Sequence, residues 1–547
     1  MSRIPSVARA CAAGALCAGL VCLAPVAMAR ATPLEVQVDG GMVRGALERG
    51  VIAFEGIPYA APPVGALRWA PPQPVQRWTG VRLAQHFGPD CAQLPTPGDD
   101  GPIRTVPREN CLYLNVWRPK ARSAHGLPVM VWIYGGGFVD GGTSPAIHDG
   151  TQFARDGVVL VSFNYRLGNF GLFAFPALDR RSAGGRRGDY TFMDQIAALQ
   201  WVQRHAASFG GNPRNVTIFG ESAGGMSVNA LLMSPLAHGL FAKAIIESGA
   251  GRDNISPLRP LSGAADSAEA RGLGLAWLLG IGGEGPRALA ALRALPAARL
   301  VGDLDLHTES SDPTFVGGPI LDAKLYPGAP TNIYAAGGGA RVPVMIGTNT
   351  DEIGPTAPAS FWALWRTFGT HSAAARRIYD PNGRLTLGEA AAAVGGDQWM
   401  VEPARAIARL LSARGQRVYE YRFGYVATAR RNTTLWGAPH AAEIPYVFDT
   451  VSARYGNATS RADEAMARVV HAYWIEFART GRPDPRGQPA WPEYHQSSDE
   501  LMSFTDDGPI PEADPWKTRL DIVEHTYIYR RRAEPAAEVD HPSGASR

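Results

Sequence analysis

The stretch Val216-Thr-Ile-Phe-Gly-Glu-Ser-Ala-Gly-Gly225 decides how this 547-residue chain is read. Val216 to Phe219 is a short apolar run rich in β-branched residues, the pattern of a buried strand. Gly220-Glu221-Ser222-Ala223-Gly224 follows with the spacing G-x-S-x-G. A serine at the tip of a sharp strand-to-helix turn sits in strained backbone. The residues two before and two after it then nearly touch, so neither position tolerates a Cβ. The run to Met233 reads as the helix that follows, with its N-terminal N–H groups and partial positive charge aimed at the serine. Ser222 is therefore a candidate nucleophile. Glu221, beside it, is placed to orient water or to tune a base electrostatically.

Outward from this stretch, strand and helix signals alternate. Pro128 to Tyr134 and Val158 to Phe163 are apolar runs of central-strand type. Tyr190 to Ser208 has Met193, Ile196, Leu199 and Val202 at helical spacing. Lys243 to Ile246, Pro343 to Gly347 and Val418 to Phe423 read as further strands, and Arg461 to Thr480 as a late helix. Alternating strand–helix units predict an α/β fold with a mainly parallel sheet between helices. Leu34 to Val38, Asp39-Gly40 and Met42-Val43 predict an antiparallel hairpin at the start. Residues 355–415 read as a helical subdomain over the mouth of the site, with Trp362, Trp365 and Trp399 as packing residues.

The longer stretch Phe209-Gly-Gly-Asn-Pro-Arg-Asn-Val-Thr-Ile-Phe-Gly-Glu-Ser-Ala-Gly-Gly225 resembles the nucleophile signature of the type-B carboxylesterases, the family that also contains the cholinesterases. Glu109-Asn-Cys-Leu-Tyr-Leu-Asn-Val-Trp117 is similar to a second signature, with Asn110 where the family usually has aspartate. Asn164-Tyr-Arg-Leu-Gly168, Asp194-Gln195 and Trp474 to Gly481 extend the likeness over residues 34 to about 510. The resemblance implies an α/β-hydrolase fold and a carboxylic-ester hydrolase. It also implies roles for individual residues. A serine needs a base, and His440 in Gly437-Ala-Pro-His-Ala-Ala-Glu-Ile-Pro-Tyr-Val-Phe448 matches the family's histidine motif. The base needs a carboxylate to hold its tautomer, and Gly347-Thr-Asn-Thr-Asp-Glu-Ile-Gly354 offers two. Residue type does not choose between Asp351 and Glu352; the motif's acid falls on Glu352. In Tyr134-Gly-Gly-Gly-Phe138 the match makes Gly136 and Gly137 oxyanion donors, with the Ala223 N–H as the third. The family often begins this loop with histidine, and here it is Tyr134.

Composition fits an ordinary globular chain, 45% hydrophobic and 19% charged, and a formal charge of +3 gives no argument for nucleic acid. Residues 1–29 read as a secretory signal, with Arg3 and Arg9 before an apolar run and Ala27-Met-Ala29 as the cleavage site. No later apolar span reaches membrane length, so no stable span is expected after cleavage, and a secreted or periplasmic location follows. Cleavage removes three of five cysteines and leaves Cys91 and Cys111, an even pair that reads as one disulfide. In the cholinesterases that the chain resembles, the equivalent loop supplies a tryptophan whose face binds the quaternary ammonium; here that loop holds no aromatic residue, so choline esters are expected to be poor substrates relative to uncharged short-chain esters. Residues 30–530 are the expected catalytic domain, and 531–547 a disordered tail. The expected partners are a small-molecule ester and water, without metal or organic cofactor. Nothing in the sequence fixes an oligomeric state. The same catalytic parts also suit an amidase or carbamate hydrolase, and the fold has non-catalytic adhesion relatives.

Overall fold

Five consecutive residues, Val129 to Ile133, are fully buried, which only a strand covered on both faces permits. They lie at the middle of an 11-stranded sheet in the computed structural model, which describes residues 34–98, 101–121, 123, 125–178, 188–249, 251–252, 259–260, 262–322, 324–354, 358–434 and 436–533. In chain order the strands are β1 (Ala46–Glu48), β2 (Val51–Pro58), β3 (Tyr113–Pro119), β4 (Leu127–Ile133), β5 (Val159–Phe163), β6 (Gly211–Glu221), β7 (Lys243–Glu247), β8 (Val344–Asn349), β9 (Val418–Phe423), β10 (Glu500–Thr505) and β11 (Gly508–Ala513). Across the sheet the order is β11-β10-β9-β8-β7-β6-β4-β5-β3-β2-β1. The strands from β10 to β5 pair in parallel, and the pairs at both margins are antiparallel. This is the mainly parallel α/β-hydrolase sheet that the sequence implied. The hairpin is present too, as Glu35–Val38 paired antiparallel with Gly41–Arg44.

The chain leaves β4 for β5 on one side and returns to β6 on the other. The loops after β4 and β6 therefore diverge at neighbouring carboxyl ends, the crevice where open α/β sheets bind ligands. Helix α1 (Tyr190–His205) precedes β6, and α2 (Ala223–Met233) leaves it at once. Helix α3 (Glu402–Ala413) packs on β8 and β9. Helix α4 (Arg461–Thr480) starts at a capping box of Ser460 and Asp463 and stops at Gly481, with φ 75°.

Two sequence boundaries shift. The helices Phe361–Arg366, Ser372–Tyr379 and Leu387–Gly396 share a small core of their own with Val523 from α5 (Lys517–Ala533). Helix α3 does not belong to it. Its Ala404, Ile407, Ala408 and Leu411 are in the main core, because its apolar stripe faces the sheet. Within the small core Trp365 is buried, whereas Trp362 is 67% exposed beneath Arg366. Helix α5 runs to Ala533, three residues into the stretch read as tail. The signal segment and residues 534–547 lie outside the described residues.

Candidate active site

Ser222 follows β6 directly, with φ 56° and ψ −122°, a conformation that side chains avoid. Two bonds hold it there. Its N–H donates to the Glu247 carbonyl at 2.9 Å, and its carbonyl accepts from the Met226 N–H at 2.8 Å, opening α2. A Cβ on Gly224 would stand 2.0 Å from the Ile133 carbonyl oxygen, and one on Gly220 would stand 2.5 Å from that same oxygen and 2.8 Å from Gly224. Both glycines are thus demanded by the turn. Helix α2 begins at Ala223, so its first N–H groups crowd beside the serine.

The turn after β8 brings Glu352 under His440. Glu352 Oε2 lies 2.5 Å from His440 Nδ1. Its Oε1 accepts from the Ser248 hydroxyl at 2.6 Å and the Asn349 N–H at 2.8 Å. Asp351 instead joins the His440 loop through its backbone, its N–H donating to the Ala438 carbonyl at 2.9 Å. Asn349 Nδ2 anchors the same loop, donating to the Pro439 carbonyl at 2.8 Å and to Glu443 Oε2 at 2.6 Å. His440 Nε2 stands 3.2 Å from Glu221 Oε1 and has no hydrogen-bond partner among the described residues. No hydrogen bond joins it to Ser222 here; such bonds often tighten only once substrate is bound.

Electrostatics favour a charged pair. Burial opposes the His440 imidazolium, but Glu221 and then Glu352 overcome it and push the group up to about 10. Burial would raise Glu352, but His440 and the hydrogen bonds from Ser248 and Asn349 outweigh it, and its carboxyl falls below the ordinary range. Glu221 goes the other way, raised to about 8 by burial, with His440 opposing. Burial also lifts Glu443, to about 7, and Glu247, whose Oε1 accepts from Trp474 Nε1 on α4 at 2.7 Å.

The loop after β4 closes the other side. Gly136, Gly137 and Phe138 have φ of 92°, 58° and 62°, a left-handed path in which a Cβ on Gly136 would strike the Asp140 carbonyl oxygen at 2.3 Å. A Cβ on Gly135 would stand 3.0 Å from Ser222 Cβ, so loop and serine are in contact. The N–H groups of Gly136, Gly137 and Ala223 have no acceptor among the described residues. Tyr134 stacks on Tyr165 with centroids 4.3 Å apart, and its carbonyl accepts from the Tyr165 hydroxyl at 2.6 Å. That stack supports the start of the loop. Arg166 and Asp194 form a buried two-pronged pair at 2.7 and 2.8 Å below it.

Known proteins agree with this architecture. The sequence profile described as Carboxylesterase family matches residues 32–364 and 368–517. The chain belongs to the carboxylesterase family. It is 35% identical over 504 residues to the fumonisin B1 esterase of Sphingopyxis macrogoltabida, covering 87% of this chain and 89% of that protein. It is 33% identical over 490 residues to the para-nitrobenzyl esterase of Bacillus subtilis, covering 85% and 94%. A medium-chain fatty acyl-CoA hydrolase precursor of Anas platyrhynchos is 34% identical over 523 residues, covering 88% and 90%. This carboxylesterase thus keeps the family's span almost from end to end. Cys91 and Cys111 form a disulfide with a 2.07 Å S–S bond. Among the described residues no helix is long and apolar enough to cross a membrane.

The sequence reading missed three groups of the esterase site. Glu443 lay in the quoted histidine motif, three residues after His440. Ser248 and Asn349 stand at the ends of strands already identified, where side chains reach the carboxyl edge of the sheet, and that position was their only signal.

Proposed function

We propose that the esterase works through Ser222, Glu352 and His440. His440 Nε2 takes the Ser222 proton as Oγ attacks the ester carbonyl, and Glu352 fixes the tautomer through Nδ1 and supports the imidazolium. The carbonyl oxygen gains charge among the N–H groups of Gly136, Gly137 and Ala223. His440 then protonates the leaving alcohol, and later activates water that releases the acyl group from Ser222. One arrangement carries this reading: a serine in strained backbone, three N–H groups beside it with no acceptor among the described residues, and a histidine whose other nitrogen is bound to a buried carboxylate. The Cys91–Cys111 disulfide supports folding in an oxidising compartment, in keeping with export. The test is Ser222→Ala. Turnover of a neutral ester should fall about 10⁴- to 10⁶-fold with unchanged circular dichroism, and near-normal turnover would sink the assignment.

A further inference from the structure

The segment after the short helix Ala297–Val301 folds back onto the loop that bears Gly136 and Gly137. Asn169 Nδ2 donates to the Leu300 carbonyl at 3.0 Å and pins its start. Asp305 then organises a turn, its Oδ1 accepting from the N–H groups of His307 at 2.8 Å and Thr308 at 3.0 Å, while the Glu309 N–H donates to the Asp305 carbonyl at 2.9 Å. The turn sets two side chains against Gly137. The place a Cβ would take on Gly137 is 3.1 Å from Leu306 Cδ2 and 3.6 Å from both Cγ and Cδ of Glu309.

That carboxylate is unlike the others in the site. Glu352, Glu443 and Glu247 all accept hydrogen bonds, and Glu221 faces the imidazole. The Glu309 carboxylate has no hydrogen-bond or ion-pair partner among the described residues. Burial alone pushes its carboxyl up to about 7, and no charged neighbour offsets it. Glu309 is half-buried, so water still reaches the carboxylate, and an unpaired carboxylate held beside this loop is the kind of group that a charged ligand completes.

The proposed chemistry fixes which part of the substrate meets it. The carbonyl oxygen lies against the N–H groups of Gly136, Gly137 and Ala223. The leaving oxygen must reach His440 Nε2. The acyl chain takes the remaining direction, away from His440, and Glu309 stands against Gly137 on the side of the loop after β4. Resting on that triad assignment, we propose that Glu309 is a specificity residue that selects esters whose acyl chain carries a protonated amine a few bonds from the carbonyl. An ammonium there donates hydrogen bonds to the carboxylate, which a quaternary ammonium cannot do. The cation of a choline ester sits on the alcohol side, so the expectation for those substrates is unchanged.

The test compares β-alanine ethyl ester with ethyl butanoate, which has the same shape without the charge, at pH 7.5. The protein should prefer the amine ester in kcat/KM, and Glu309→Gln should compress that ratio about tenfold or more, the effect of one partly screened ion pair. Glu309→Lys should invert the selection and favour monoethyl succinate. No amine preference, or a ratio untouched by Glu309→Gln, would overturn the proposal. So would a Glu309-dependent preference for 2-(dimethylamino)ethyl butanoate over 3-methylbutyl butanoate, which moves the cation to the alcohol. Hydrolysis of ethyl butanoate by Ser222→Ala at the parent rate would instead overturn the triad and leave the Glu309 ratios standing.

Discussion

Two carboxylates one residue apart, Asp351 and Glu352, take different positions because only the second points back under its own strand. Glu352 reaches His440 and is satisfied on both oxygens, whereas Asp351 is half-buried and ties down the loop by its backbone. Glu352→Gln is therefore expected to cut kcat/KM by about 10⁴, the cost of the wrong tautomer, and Asp351→Asn by far less. A worse lesion at Asp351 would assign the acid to the wrong residue. Glu221 gives a pH prediction. Its charge favours the imidazolium, so Glu221→Gln should ease deprotonation of His440 and move the acid limb of kcat/KM to lower pH, by about one unit. A pH–rate profile that stays put or moves upward would refute this. At this scale the glycines were legible because their spacing encodes a steric demand. Ser248 was not, because it meets Glu352 across 104 residues of chain and no local pattern records that contact.

Among elements, the disulfide loop has a role in the site beyond closing itself. Gln93 exchanges two hydrogen bonds with Gly141, at 2.7 and 2.9 Å, and Asp90 accepts from the Thr143 N–H at 3.1 Å and from the Ser144 hydroxyl. Asn164 completes the tie, accepting from the Thr143 N–H at 3.0 Å and donating to the Pro89 carbonyl at 3.0 Å. The loop thus grips the continuation of the glycine loop after β4. Replacing Cys91 and Cys111 together by alanine should cost about 3 kcal/mol for a sequence separation of 20, read from urea unfolding, and should lower kcat as well. Unchanged stability would mean that the crosslink does not constrain the chain. Strands were the most legible elements, since unbroken apolar runs leave a buried strand as the short solution. The end of the helical subdomain was less so: α3 follows Leu387–Gly396 almost without a break, and only its packing face assigns it to the sheet.

Across the described residues the molecule has two cores of unequal size, the sheet with its covering helices and the small cluster around Trp365, Phe368, Tyr379 and Val394. The smaller one buries few residues, so it should open first. Phe368→Ala, which removes a fully buried ring, should cost about 3–5 kcal/mol locally. Hydrogen exchange should then show early loss of protection across residues 361–396 and in α5, with β6 to β8 unaffected. Simultaneous loss in the strands would show one cooperative unit instead. The sequence showed helices here but not the division, because α5, which closes the small core, lies more than a hundred residues further along the chain.

Helix α5 is buckled to α3 by charge. Arg405 pairs with Asp521 at 2.9 Å and with Glu524 at 3.3 Å, and Arg409 reaches Glu524 and Asp499. Strand β8, by contrast, is hydrogen-bonded along both edges, to β7 and to β9. Under tension applied beyond Ala533, the buckle would yield before the sheet. The helix would peel away residue by residue and draw Val523 out of the small core, while the strand leading to Glu352 stayed zipped on both sides. An enzyme tethered to a bead by that end would therefore lose its satellite helices under load before it lost its chemistry.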